Sequence, residues 1–113
     1  MDKLNKYRQL IKEALTEYAD LLKSPPTPPY DVVLAFDDEH NEYILREVGW
    51  TKNAWVRNTV VHVSLRDGKV WIQEDWTEEG IASWLLQHGV ERSQIVLSFQ
   101  PPESRQLMEF VVA

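Results

Sequence analysis

The sequence predicts an α+β fold: an N-terminal helix, a four-stranded antiparallel meander, a second helix, then a further C-terminal strand and a short apolar tail. Three observations carry that prediction. Leu4, Tyr7, Ile11, Leu15, Tyr18 and Leu22 recur at three- and four-residue spacing, the stripe of an amphipathic helix over about residues 2–22. Segments rich in Val, Ile, Trp and Tyr follow, separated by turn residues too few to allow anything but hairpins. Finally, Lys69-Val70-Trp71-Ile72-Gln73 reads as a strand that stops at the acidic stretch Glu74-Asp75-Trp76-Thr77-Glu78, where a helix start is expected.

Taken in order, the first helix has Asp2 as its expected N-cap, the carboxylate facing free backbone N–H groups. Ser24-Pro25-Pro26-Thr27-Pro28-Pro29 ends it, and residues 23–30 are expected to form an extended, proline-rich connector to the sheet. Strands are predicted over 31–37, 42–50 and 54–65, with the Trp71 strand as the fourth. Asp38-Glu39-His40-Asn41, Lys52-Asn53 and Asp67-Gly68 supply the turns.

Without bulges, these turns dictate the register. Asp67-Gly68 sets Leu65 opposite Val70, Val63 opposite Ile72 and His62 opposite Gln73. Lys52-Asn53 sets Trp50 opposite Trp55, Ile44 opposite Val61 and Tyr43 opposite His62, and the first turn sets Phe36 beside Tyr43 and Leu34 beside Leu45. One face then gathers Ala35, Ile44, Val48, Trp50, Trp55, Val61, Val63, Leu65, Val70 and Ile72. The other gathers Leu34, Phe36, Tyr43, Leu45, Val60, His62, Ser64, Trp71 and Gln73. Two helices can cover one face and part of the other, so the remainder is expected to meet a partner protein or a second copy of the chain.

Ile81, Trp84, Leu85 and His88 mark the second helix, with Asp75 or Thr77 as cap, Glu78 and Glu79 in its first turn and Gly80 inside it. His88-Gly89-Val90 reads as its glycine C-cap. Ile95-Val96-Leu97-Ser98-Phe99 reads as a buried strand, stopped by Pro101-Pro102, and Leu107, Met108, Phe110, Val111 and Val112 make the tail apolar.

The whole chain bounds the function. Its 113 residues, 43% hydrophobic, suit one domain spanning 1–113. There is no cysteine, which excludes disulfides, thiolate zinc sites and a cysteine nucleophile and fits a reducing compartment. No signal-like or membrane-spanning apolar run is present, so a soluble cytoplasmic protein is expected. The net charge of −6 argues against direct nucleic-acid binding, which draws affinity from basic side chains that displace phosphate counterions.

A search for chemistry returns little. His62, flanked by Tyr43 and Gln73 in the expected register, is the best single candidate, yet Gln73 cannot hold an imidazolium as a carboxylate would, and a structural histidine is the simpler reading. Asp37 to Glu42 is rich in oxygen ligands but lacks the glycine a calcium loop needs at its bend, and the three histidines show no zinc-like spacing. Asp75 and Glu78, joined by His62, would be the carboxylates of a hydrolase or nuclease; helix capping accounts for them more simply. With four glycines there is no phosphate loop or nucleophile elbow. No catalytic residue, metal or cofactor is expected. The candidate contact residues are Trp71, Gln73, His62, Tyr43 and Arg105, the last as a bidentate partner for a carboxylate.

One resemblance runs through the chain. Met1 to Arg8, Val48-Gly49-Trp50, Val61-His62, Gly68 to Gln73, Asp75 with Thr77-Glu78, Gly80-Ile81-Ala82, Gly89-Val90, Ile95-Val96-Leu97, Phe99, Pro101-Pro102-Glu103, Arg105, Glu109-Phe110 and Ala113 resemble, in order, the XisI family of fdxN element excision controlling factors. Departures fall at Glu91, Gln94 and Gln106-Leu107-Met108, in expected loops and tail. The resemblance implies a small α+β accessory of programmed DNA excision. It would work with an XisH-type companion and a site-specific recombinase that performs the strand chemistry, and it implies no catalytic residues here.

Overall fold

The computed structural model describes residues 3–99. In chain order it contains α1 (Lys3–Lys23), β1 (Asp31–Asp37), β2 (Glu42–Trp50), β3 (Trp55–Arg66), β4 (Lys69–Asp75), α2 (Ile81–Gln87), a 3₁₀ turn (Arg92–Gln94) and β5 (Ile95–Leu97). The expectations for Asp2, Arg105 and the apolar tail fall outside the described residues. One sheet of order β1-β2-β3-β4-β5 forms, with β1 to β4 an antiparallel meander and β5 parallel to β4. The α2 crossover makes that last pairing possible, since parallel neighbours cannot be joined by a tight turn.

Both helices pack on one face of the sheet. Tyr7, Ile11, Ala14, Leu15 and Ala19 of α1, with Ile81 and Leu85 of α2, close over Tyr43, Leu45, Val61, Val63, Leu65, Val70, Ile72, Ile95 and Leu97. The expected stripe thus serves the protein's own core, and at about 25 cal/mol per Å² this burial dominates the folding free energy. The proline connector departs from an extended run: it bends, with a cis bond between Pro25 and Pro26.

Near the turns the register is as expected, with Leu65 opposite Val70, Val63 opposite Ile72, Trp50 opposite Trp55, Phe36 opposite Tyr43 and Leu34 opposite Leu45. Further along it is not. A bulge lets Arg46 pair with Thr59 while Leu45 pairs with Val61, leaving Val60 as the extra residue. A second pairs His62 with Glu74 and Val63 with Ile72, leaving Gln73 extra. The expected pairs Ile44–Val61, Tyr43–His62 and His62–Gln73 are therefore replaced by Ile44–His62, Tyr43–Val63 and His62–Glu74. A one-residue shift exchanges the faces of a strand. Tyr43 and Leu45 join Val61, Val63, Val70 and Ile72 beneath the helices, while Ile44 moves to the face of His62 and Ser64.

The start of α2 also differs. Gly80 is its N-cap, at φ 87°, rather than an interior residue, and Glu78 and Glu79 precede the helix. Asp75 organises the approach: its Oδ1 accepts from Thr77 N (2.9 Å) and Thr77 Oγ1 (2.6 Å), and its Oδ2 from Ile81 N (2.7 Å). At the other end, Val90 N donates to Leu85 O (3.0 Å) beyond Gly89, in keeping with the expected glycine terminus.

Candidate functional site

The outer face of the sheet, away from the helices, carries a polar cluster built by the shifted register. Glu42 pairs with Ser64, and Ile44 with His62, so the Glu42 carboxylate lies diagonal to the His62 ring. Its Oε1 is 2.6 Å from His62 Nε2 and accepts from Ser64 Oγ at 2.5 Å; Arg66 Nη2 reaches Oε2 at 3.5 Å. Gln73, displaced by its bulge, donates from Nε2 to Ser64 Oγ at 3.5 Å. Ser64 is fully buried, whereas the side chains of His62 and Glu42 keep about 30% and 29% exposure. Burial pushes the Glu42 carboxyl up, but the hydrogen bonds from Ser64 and His62 outweigh it and hold the group below its ordinary value.

Trp71 sits opposite Ser64 in β4 and beside Val96 in β5. It is half-buried, and its Nε1 donates to Arg66 O at 3.0 Å. The outer face thus offers an indole, an amide and a histidine–carboxylate pair on rigid strands. Trp71, Gln73 and His62, three of the residues singled out from sequence, come together there. Tyr43 does not. It is fully buried on the helix-covered face, its hydroxyl donating to Asp38 Oδ1 (2.9 Å), and burial beside that carboxylate pushes its pKa up to about 12. Arg105 lies outside the described residues.

Glu42 is the member that sequence reasoning missed. It reads there as part of a solvated turn, and the bulge-free register gives His62 no carboxylate. The signal that could have revealed it is the doubled Val60-Val61, which breaks strict alternation in β3. Chemically, the cluster does not form a relay. Glu42 bridges His62 and Ser64, so the imidazole is not positioned between hydroxyl and carboxylate as nucleophile activation requires.

The hydrolase-like grouping of Asp75, Glu78 and His62 is not assembled. Asp75 pairs with Val61 of the core-facing set and spends both oxygens on the α2 approach, while His62 occupies the outer face. The acidic turn is likewise committed internally. Asp37 Oδ1 accepts from the backbone of His40 and Glu39 at 3.0 Å each, Asp38 meets Lys12 Nζ at 2.7 Å, and Asn41 Oδ1 accepts from Arg8. The backbone N–H of His40 and its side chain hold Asp37 below the usual carboxylate range, and the Lys12 ammonium with the Tyr43 hydroxyl does the same for Asp38. Among the described residues, no group of three or more metal-ligating side chains converges. Nor is any helix there long and apolar enough to cross a membrane.

Comparison with known proteins gives a consistent picture. The family model described as XisI protein matches residues 1–112. A solved XisI-like protein from Anabaena variabilis ATCC 29413 is similar at 36% identity and a TM-score of 0.88, covering 97% of this chain and 99% of that one. The fdxN element excision controlling factor XisI of the same organism is 33% identical with a TM-score of 0.87, covering 99% of this chain and 100% of that one. No functionally curated protein matches.

Proposed function

The chain belongs to the XisI family, and from that premise we propose that it is an accessory factor controlling the excision of a DNA element, acting by binding protein partners and not by catalysis of its own. The observation that carries this reading is the end-to-end likeness, at 33% identity, to an fdxN element excision controlling factor of the same length and fold. The separation of Asp75 from His62 supports it, because the one catalytic grouping the sequence suggested has no common cleft.

The proposed contact surface is the outer sheet face around Trp71, Gln73 and His62, with Arg105 as a further candidate. Trp and Arg are the side chains that most often anchor interfaces, and here the tryptophan has a rigid strand and a polar rim around it. The partner proposed is an XisH-type companion, with a separate recombinase performing strand exchange. The protein is proposed to work in the cytoplasm.

Co-purification with an XisH-type protein tests the reading directly. A complex is expected, and Trp71→Ala should weaken it by more than about 1 kcal/mol, the range of an interface anchor, with the thermal melt of the free variant recorded alongside. No complex across several cognate pairs would sink the proposal. The rival is a factor that grips DNA itself. It predicts an affinity that falls steeply with salt; the net charge of −6 opposes it, and no mobility shift even at low salt would remove it.

A further inference from the structure

β3 is longer than its neighbour β4. Arg66 to Val61 pair with Lys69 to Asp75, but Trp55 to Thr59 extend past the end of β4, and no described strand pairs with them on that side. The chain leaves the sheet there, its last tie being Trp76 N to Val60 O (2.8 Å). Thr51 and Ala54 form the hydrogen-bonded pair closing the β2–β3 turn (Thr51 N to Ala54 O, 2.8 Å), and bonded and non-bonded pairs alternate from it. That alternation turns the N–H and C=O groups of Trp55, Arg57 and Thr59 toward the open side.

Such an edge is a template for another strand, and protective charges or prolines normally blunt it. The segment Trp55-Val56-Arg57-Asn58-Thr59-Val60 has no proline, and Arg57 is its one charge. Instead it is flanked by indoles in water: Trp55 is 51% exposed, Trp50 tilted against it at 5.6 Å between ring centroids 66%, and Trp76, which lines a groove with Arg57 to Val60, 75%.

We propose that this edge pairs with the same edge of a second copy, antiparallel about a two-fold axis at Arg57. The outward-facing residues then match completely, with Arg57 opposite Arg57 and Trp55 opposite Thr59 of the other protomer. Trp55 of each copy comes beside Val60, and hence Trp76, of the other. The two guanidinium groups meet in a groove to which each protomer contributes Glu47 and Glu74, so carboxylates outnumber them.

Area supports the same occupant. At about 150–250 Å² per indole, the exposed parts of the three tryptophans amount to roughly 400 Å² per protomer, about half of the ~800 Å² each partner gives a standard interface. The strand backbone and groove walls can supply the rest. A two-fold closes this pairing on itself, so the two β3 edges satisfy one another. The inference is independent of the excision role, since self-association is read without any partner.

The native chain has no cysteine, which makes the test direct. Sedimentation equilibrium should show a doubling of the 13.3 kDa mass. Arg57→Pro, which removes an outward N–H, should return the protein to monomer with an unchanged circular dichroism spectrum. Cα atoms of a hydrogen-bonded antiparallel pair lie about 5.5 Å apart, within disulfide range. Arg57→Cys should therefore oxidise to a covalent dimer while Asn58→Cys stays monomeric on denaturing gels. A wild-type monomer at every soluble concentration overturns the proposal. So does equal cross-linking of both cysteine variants, or a dimer that survives Arg57→Pro with no cross-link at position 57.

Discussion

Glu42 shows how much one side chain can depend on a register shift elsewhere. Its carboxylate is useful because Val60 bulges, bringing Ser64 and His62 into line with it. Those donors keep its folded-state pKa below the ordinary 4.5, so the unfolded chain takes up its proton first as pH falls. The stability Glu42 contributes is present above 4.5 and is lost as pH drops through the lowered value. Glu42→Gln should therefore show a flatter fall in urea midpoint on acidification below 4.5 than wild type, together with a lower midpoint at neutral pH. Parallel pH profiles would mean that the carboxylate is not held as described.

Gly49 has a different constraint at the same scale. At φ 151°, a Cβ placed there would lie 2.9 Å from Tyr30 Cα, a backbone atom that cannot swing aside. Gly49→Ala should cost roughly 2–3 kcal/mol through overpacking and backbone strain, read as a drop in unfolding free energy. A change within a few tenths would show that the connector yields freely.

Among elements, α2 is the one whose existence rests on a neighbour. Seven residues are too few for an isolated helix, so packing of Ile81 and Leu85 and the Asp75 bonds must hold it. Asp75→Ala should destabilise the protein by about 1–2 kcal/mol, as loss of a helix-capping acceptor does, with amide exchange accelerated first at Ile81. Unchanged exchange at Ile81 would contradict this role.

Elements were largely legible in the sequence because their signals are local. The Asp67-Gly68 turn alone fixes Leu65 against Val70, and the stripe from Tyr7 to Leu15 can only be a buried helix face. The bulges at Val60 and Gln73 were not legible in the same way. β3 carries apolar residues at both parities, so either strand face satisfies the alternation test and only tertiary packing decides between them. This is why the sequence alone groups Tyr43 with His62 and leaves Glu42 out of the cluster; it puts Trp71 and Gln73 on the face of His62, but pairs Gln73 with His62 where Glu74 stands.

At the scale of the whole molecule, the two proposed contact surfaces of the sheet are separate. The outer face around Trp71 and the open edge around Arg57 share no residue, so perturbing one should leave the other intact. Trp71→Ala should keep the doubled mass in sedimentation, and Arg57→Pro should keep its companion's affinity per protomer to within about 0.5 kcal/mol, the usual limit of additivity for distant sites. A collapse of both functions in either variant would mean that a single surface serves both.

The parallel pairing of β5 has a consequence for how the chain is made. Lys3, in the first turn of α1, reaches Gln94 at the entrance to β5, Nζ to Oε1 at 2.9 Å, and Trp84 of α2 donates to Glu17 at 3.0 Å. The seat of the first helix is therefore finished only by residues some ninety positions later. During synthesis α1 emerges with its apolar stripe unmatched, and a meander without α2 and β5 offers it only part of a floor. Loop closure of that span must precede the reward of burial. Full burial of the α1 stripe is thus expected only late in synthesis, and until then its transiently exposed tyrosine and leucine side chains favour aggregation.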